Sequence, residues 1–322
     1  MTDPVRVVLH TDAPEGLVDR LMAASPQAQV RVCDSYDGLP EMLTGFAPQV
    51  VYTVRFNGTP GFPRAALFGP NGPRWIANGG VGTDHFGQWD ARATTVTNAA
   101  GVAADMMAEY VIGGFLHFML DVPGLQADKG AQVWAARTVR PLKGKTLLIV
   151  GLGHTGQATA QRAKAFGMHV IGTRATPRDM DNVDEVHGAD ALNSLLARAD
   201  FIAISTPLTA RTRGLIGASQ LKAMKPGVIL ADVSRGGVVD QGALADALAE
   251  GHVAGAALDV FEVEPLPQGS PLWALDNVLI SPHCSSVHDG WEDASFDLFL
   301  ANFGRWIAGE ALVNVVDPVR GY

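Results

Sequence analysis

The sequence has only two cysteines, Cys33 and Cys284, in 322 residues. One widely spaced pair makes neither a disulfide framework nor a metal-ligand spacing, so a reducing compartment is the default and no metal site is expected. Both thiols read as small buried apolar residues rather than nucleophiles. Cations are in short supply as well. Twenty-four Lys and Arg face 33 Asp and Glu, for a net charge of −9, and no basic stripe is present to neutralise a phosphate backbone, which excludes nucleic acid as the expected partner. Long apolar runs are also missing. The most apolar region, residues 99–120, is broken by Asp105 and Glu109 and contains Gly113-Gly114, which suits a buried helix and not a hydrocarbon span. The first residues, Met1-Thr2-Asp3-Pro4-Val5-Arg6-Val7-Val8, lack a basic segment followed by a long apolar one and read as the approach to a strand, not a signal peptide. The expectation is a cytoplasmic protein with no membrane attachment. Charge of either sign is sparse, 18% against 47% hydrophobic residues, the balance expected when parallel strands are covered on both faces. The length favours two domains.

What the chain does have is an apolar run that ends abruptly in glycines, Thr146-Leu147-Leu148-Ile149-Val150-Gly151-Leu152-Gly153-His154-Thr155-Gly156. A G-x-G-x-x-G turn between a strand and a helix is the phosphate cradle of a dinucleotide site. The first glycine permits the turn, the second lets backbone approach a pyrophosphate, and the third lets the helix pack on the strand. The anion then sits at a helix N-terminus.

Around this turn, short β-like runs alternate with helix-like stretches. Strands are predicted at 5–9, 29–33, 50–54, 74–77 and 94–97, with helices at 15–24 and 38–45; the Gly- and Pro-rich interval 58–73 reads as a loop or short helix. After a long helix near 102–120 the alternation resumes, with strands at 146–150, 168–172, 201–204, 228–231, 254–258 and 278–280 and helices at 155–166, 189–199 and 241–250. A last helical stretch covers 289–309. The second series reads as a six-strand dinucleotide fold. The expected architecture is therefore α/β, a Rossmann-type doubly wound parallel sheet plus a smaller flavodoxin-like α/β domain. The predicted bounds are 99–287 for the dinucleotide-binding domain, with 1–98 and 288–322 forming a discontinuous substrate-binding domain.

Three further stretches each follow a predicted strand: Ser234-Arg235-Gly236-Gly237, Asp259-Val260-Phe261-Glu262-Val263-Glu264-Pro265 and Ser281-Pro282-His283. Ligands of open α/β sheets bind at the carboxyl ends of strands, so an Arg, a Glu and a His delivered there are candidate reaction groups. Taken in order, G-L-G-H-T-G, S-T-P-L-T, V-S-R-G-G-V-V-D, A-L-D-V-F-E-V-E-P-L and S-P-H make the chain resemble the D-isomer-specific 2-hydroxyacid dehydrogenases over nearly its whole length.

The resemblance implies a catalytic set of Arg235, Glu264 and His283. Arg235 grips the substrate carboxylate with a planar guanidinium and polarises the adjacent carbonyl. His283 is general acid in reduction and general base in oxidation, a role suited to an imidazole with its ordinary pKa of about 6.5. Glu264 orients His283 and stabilises its charged form, with Glu262 as the competing assignment. Cofactor contacts are implied for Gly151, Leu152, Gly153, His154, Thr155, Gly156, Thr206, Pro207, Asp259 and Ser285. For Asp259 the choice lies between the nicotinamide edge, which the resemblance favours, and capping of local backbone. In the first domain Asn78-Gly79-Gly80-Val81-Gly82-Thr83-Asp84-His85 is the family counterpart of a carboxylate-binding loop, which makes the amides of Val81 and Gly82, with Arg55, substrate contacts. His288 and Trp291 join Arg55 in shaping substrate preference, Glu109 is given a structural role in the interdomain region, and Trp134 is read as core in preference to a residue crossing a dimer. Closure of a cleft between the domains is the expected route to excluding water.

One position departs from the pattern. An acidic residue normally ends the second strand and bonds the adenosine ribose, but here Thr173-Arg174 stands in that place. An arginine with neighbouring hydroxyls accepts a 2′-phosphate that a carboxylate would repel. The implied cofactor is NADP(H) in preference to NAD(H), with Arg178 a further reader and Asp179 or Asp181 the alternative acid. The implied activity is reduction of a small 2-oxo acid such as glyoxylate or hydroxypyruvate to the D-2-hydroxy acid, by a homodimer. The alternative is a dinucleotide-sensing, dimerising scaffold of the same fold.

Overall fold

The computed structural model describes residues 4–56 and 59–322. Residues 1–3 of the predicted strand approach and Gly58 of the predicted loop lie outside them. The chain divides into two compact units, one formed by Met1–Val102 with Asp289–Tyr322 and one by Ala103–His288. The expected divisions at 98/99 and 287/288 fall four residues and one residue away.

The first unit is a five-stranded parallel sheet of β1 (Arg6–His10), β2 (Gln29–Cys33), β3 (Val50–Thr53), β4 (Trp75–Asn78) and β5 (Thr95–Thr97), in the order β2-β1-β3-β4-β5. Alternate side chains go to opposite faces, as the two-residue period of a strand requires. Val7, Leu9, Val50, Tyr52, Trp75 and Ala77 pack with Phe296, Phe299 and Phe303 of the C-terminal helix Trp291–Ala308. Val8, Val51, Ile76 and Val96 face the other way, onto Leu39, Leu43, Leu67 and Phe86. Leu39 and Leu43 belong to α2 (Leu39–Phe46), which follows α1 (Leu17–Ala24) and precedes the short α3 (Arg64–Leu67). The three C-terminal phenylalanines are at most 3% exposed, and burying each contributes roughly 1.5–3 kcal/mol.

The second unit opens with α4 (Ala104–Met119) and α5 (Val122–Ala131). Then come β6 (Thr146–Val150), α6 (His154–Ala165), β7 (His169–Arg174), β8 (Glu185–Gly188), α7 (Leu192–Leu196), β9 (Phe201–Ile204), α8 (Ala218–Ala223), β10 (Val228–Asp232), α9 (Gln241–Ala249), β11 (Val253–Leu258) and β12 (Val278–Ile280). All pair in parallel in the order β12-β11-β10-β9-β6-β7-β8. This is the doubly wound dinucleotide order with one strand more than the six expected. β8 escaped prediction because Glu-Val-His-Gly has no apolar alternation, and it completes the edge beyond β7. The predicted helix 189–199 is a 3₁₀ turn, Ala189–Ala191, followed by the five-residue α7.

One sheet face, including Leu147, Ile149, Val170, Phe201, Ile229 and Ala257, is covered by Val111, Ile112, Phe115 and Met119 of α4. A Cβ on Gly114 would stand 2.6 Å from that of Ala257, so the interrupting glycine in the apolar stretch lets α4 lie close on β11. Glu109 pairs with Arg162 of α6 at 2.9 Å, beside a second bond from Arg162 to Asp105. Its structural role in this unit is to tie α4 to α6. Among the described residues no helix is long and apolar enough to cross a membrane.

Candidate active site

The sheet of the second unit reverses its winding beside β6, and the glycine turn emerges there. Gly151 has φ +104, a left-handed conformation that disfavours any side chain. Its N–H and that of Leu152 donate to the carbonyl of Thr173, at 3.2 and 2.9 Å, which binds the turn to the end of β7. A Cβ on Gly156 would fall 2.2 Å from the Gly151 carbonyl oxygen, whereas one on Gly153 would meet nothing within 4 Å. The third glycine is therefore a packing requirement and the second is an opening toward solvent. α6 starts at His154 with no side-chain cap, unlike α9, where the Asp240 carboxylate accepts from the Ala243 N–H at 2.9 Å. Among the described residues no side chain accepts from the first N–H groups of α6, and these residues fit the pyrophosphate of a dinucleotide.

The other predicted cofactor residues fall into two groups. His154 is exposed, and Thr155, Thr206 and Pro207 are half-buried or exposed. Leu152 and Thr173 are buried, at 2% and 4% exposure, and are bonded to each other through the Leu152 N–H and the Thr173 carbonyl. Arg174, half-buried at the end of β7, rests one guanidinium nitrogen 3.1 Å from the Met180 sulfur.

Three neighbouring strand ends carry the reactive candidates. Beyond β10, Ser234 precedes Arg235, whose Nη1 donates to the Ser234 carbonyl at 2.7 Å. A Cβ on Gly236 would lie 1.8 Å from the Phe261 carbonyl oxygen, so the arginine turn is in contact with the segment that leads to Glu264. Glu264 Oε1 accepts from the Phe261 N–H at 3.0 Å, and Oε2 accepts from His283 Nδ1 at 2.8 Å. Burial raises the Glu264 pKa, but the hydrogen bonds from His283 and Phe261, with the charges of His283 and Arg235, outweigh it and hold this carboxyl below its ordinary value. The competing Glu262 is exposed and accepts from the Gln241 N–H at 3.1 Å. With Nδ1 held by Glu264, the Nε2 edge of His283 is the one that can exchange a proton with a substrate.

His283 itself has φ +52, a left-handed backbone that costs a non-glycine residue roughly 1–3 kcal/mol. What holds it is Asp259. One carboxylate oxygen accepts from the Cys284 N–H at 2.8 Å and the Ser281 hydroxyl at 2.6 Å, and the other from the Ser285 N–H at 3.0 Å and hydroxyl at 2.5 Å. The Ser281 hydroxyl also meets that of Tyr110 at 2.8 Å. These four bonds are local capping, the second of the two readings of Asp259. Ser285, read as a cofactor contact, is 3% exposed and gives both donors to Asp259. Cys284, expected to be buried, is exposed.

In the first unit, Arg55 lies exposed just beyond β3. The loop after β4 is fastened by side-chain amides. Asn78 Nδ2 donates to the carbonyls of Gly80 and Gly82 at 2.9 and 3.0 Å, and Asn98 Nδ2 to that of Val81 at 2.7 Å. Among the described residues no acceptor is bonded to the Val81 or Gly82 N–H, so the loop keeps two adjacent donors suited to an anion.

Comparison with known proteins agrees with this geometry. The sequence profile of the D-isomer specific 2-hydroxyacid dehydrogenase NAD-binding domain matches residues 113–285. A glyoxylate reductase of Thermococcus litoralis is 38% identical over 75% of this chain and 76% of its own length. The chain belongs to the D-isomer-specific 2-hydroxyacid dehydrogenase family. A D-3-phosphoglycerate dehydrogenase of Methanocaldococcus jannaschii is 36% identical over 75% of this chain, although the match spans only 47% of that longer protein. A crystal structure of a family member from Xanthobacter autotrophicus Py2, in complex with NADPH and MES, superposes with a TM-score of 0.85 at 33% identity, covering 99% of this chain and 100% of that one.

For a dehydrogenase of this family the sequence reading missed two groups at the site, Tyr110 and Asp232. Tyr110 sits three residues before the Gly113-Gly114 pair, and nothing in its local pattern sets it apart from a core aromatic. Asp232 had a legible signal, an acid terminating a fully apolar strand, Val-Ile-Leu-Ala-Asp. Trp134, read as core, is wholly exposed, at 103%. It follows α5 in a segment without regular structure.

Proposed function

We propose that this dehydrogenase reduces a small 2-oxo acid, glyoxylate or hydroxypyruvate, to the D-2-hydroxy acid with NADPH as the preferred coenzyme and NADH as the poorer one. The observation that carries this reading is the His283–Glu264 pair at 2.8 Å, on strand ends adjacent to the one that bears Arg235. The bound reduced coenzyme supplies hydride to the carbonyl carbon. Arg235 grips the substrate carboxylate and draws charge from the carbonyl oxygen. His283, with Nδ1 fixed by Glu264, delivers the proton from Nε2 to the oxygen as it becomes an alkoxide, and Glu264 balances the charge on the ring. In the reverse direction His283 takes that proton back. In the first unit the Val81 and Gly82 amides and Arg55 are the groups suited to a carboxylate.

The NADP(H) preference rests on Arg174, which replaces the usual acid at the end of β7 with a group that attracts a 2′-phosphate. The NADPH in the Xanthobacter relative supports it. Arg178 adds a second cation. We assign the enzyme to the cytoplasm on its two free cysteines. The exposed Trp134 supports a homodimer in which this aromatic is covered by a second copy.

The test is the initial rate of glyoxylate and hydroxypyruvate reduction with each coenzyme, in the wild type and in Arg174→Asp. Faster turnover with NADPH, reversed by the substitution, is expected. Equal rates with both coenzymes in the two proteins would overturn the role of Arg174. Coenzyme binding without steady turnover would overturn the reductase reading in favour of a sensor.

A further inference from the structure

We propose that Asp232 is a positioning residue for Arg235, acting through the Ser234 turn to fix the guanidinium that receives the substrate carboxylate. The inference rests on the reading of Arg235 given above.

Asp232 is the last residue of β10 and is 3% exposed. Its Oδ1 accepts twice from the same neighbour, from the Ser234 N–H at 2.9 Å and from the Ser234 hydroxyl at 2.5 Å. Ser234 is itself buried, at 4% exposure. Its carbonyl is the acceptor for Arg235 Nη1 at 2.7 Å. A continuous path of hydrogen bonds therefore runs from a rigid strand end, through a two-residue turn, to the reactive cation. An apolar side chain at 232 would leave the Ser234 N–H and hydroxyl buried without that acceptor, and the turn would have to reorient to satisfy them.

The carboxyl occupies a costly place. Asp259 is on the adjacent strand end, 1% exposed, with its N–H donating to the Asp232 carbonyl at 3.1 Å. Two buried acids side by side repel unless one is protonated or a cation is shared between them. Among the described residues the charged and titratable groups facing Asp232 are Asp259 just beyond β11, Arg235 from its own turn and the Tyr110 hydroxyl from α4. Burial, with Asp259 adding to it and the Ser234 bonds and Arg235 opposing, pushes the Asp232 carboxyl up to about 7. Asp232 does not touch substrate in this assignment. Its effect is on where Arg235 stands.

The experiment measures KM for glyoxylate, kcat, and the dissociation constant of NADPH by fluorescence, in Asp232→Ala, Asp232→Asn and Arg235→Lys. Removing the acceptor in Asp232→Ala is expected to raise KM by about tenfold, more than it lowers kcat, since a displaced carboxylate clamp weakens ground-state binding. NADPH affinity should stay within about twofold, because the phosphate cradle is built on β6 and α6. Asp232→Asn keeps an oxygen for both Ser234 donors and should bring KM back to within about threefold of wild type. An unchanged KM in Asp232→Ala, or an Asn variant as impaired as the Ala variant, overturns the proposal. If Asp232→Ala does not fold, Ser234→Ala takes its place. It deletes one of the two bonds and should raise KM by about two- to threefold, and no rise overturns the proposal. Arg235→Lys separates this from the reading beneath it. If that variant binds and turns over glyoxylate like the wild type, the assignment of Arg235 is wrong. If it fails while Asp232→Ala is unaffected, only the positioning role falls.

Discussion

His10, fully buried at the end of β1, makes the first unit sensitive to acid. Its Nδ1 is 2.8 Å from the Thr53 hydroxyl at the end of β3, and its ring is surrounded by Phe56, Tyr36 and Phe62, with centroids 4.8, 5.6 and 6.5 Å away. Burial lowers its pKa from 6.5 to about 4, against a smaller opposing pull from the Ser35 backbone. The folded state keeps this imidazole neutral while the unfolded chain protonates it between those two values. Its contribution is therefore fully present above pH 6.5 and declines as pH falls toward 4. At pH 5 the unfolded state is favoured by about 2 kcal/mol relative to pH 7, and by about 3 kcal/mol once both states are protonated. Because a two-unit chain need not unfold in one step, the assay is hydrogen exchange resolved to peptides covering β1 and β3, at pH 7 and pH 5, in the wild type and in His10→Phe. The phenylalanine fits an aromatic cluster and does not titrate. Its loss of the Thr53 bond is the same at both pH values and cancels. The expected result is that opening of these strands becomes about 2 kcal/mol easier on acidification in the wild type than in the variant. Equal pH dependence in the two proteins would refute the assignment of a buried, neutral His10.

Two further outcomes follow from the second unit. Glu264→Gln preserves an acceptor for the Phe261 N–H but removes the charge opposite His283, and kcat/KM for glyoxylate should fall by about 10²-fold. A steady-state rate within twofold of wild type would show that Glu264 does not support the proton transfer. Gly236→Ala places a Cβ where the Phe261 carbonyl oxygen stands, 1.8 Å away. Separating the two segments should cost roughly 1–3 kcal/mol in urea unfolding, together with most of the turnover. An unfolding midpoint equal to wild type would mean that the arginine turn is not pressed against the Glu264 segment.

The residues legible in the sequence were those whose physics is local. A glycine at φ +104 and another with no room for a Cβ leave a spacing that a linear reading can find. An apolar strand followed by Arg, by Glu-Pro or by Pro-His marks the strand ends in the same way. β8 was invisible because an edge strand of Glu-Val-His-Gly is held by its partner β7 and not by its own pattern. The hold on His283 was invisible for a related reason. Asp259, Ser281, Cys284 and Ser285 acquire their joint role only when β11 and β12 lie side by side and one carboxylate collects four donors from the next strand's loop. A carboxylate has about four lone-pair sites, and here each is used to keep a strained histidine in place. The Arg235 turn has its own buried acid in Asp232, so adjacent strand ends solve the same problem in the same way. Each presents a reactive side chain from a loop and fastens that loop with a carboxyl at the end of a strand, and the bond from the Asp259 N–H to the Asp232 carbonyl joins the two ends.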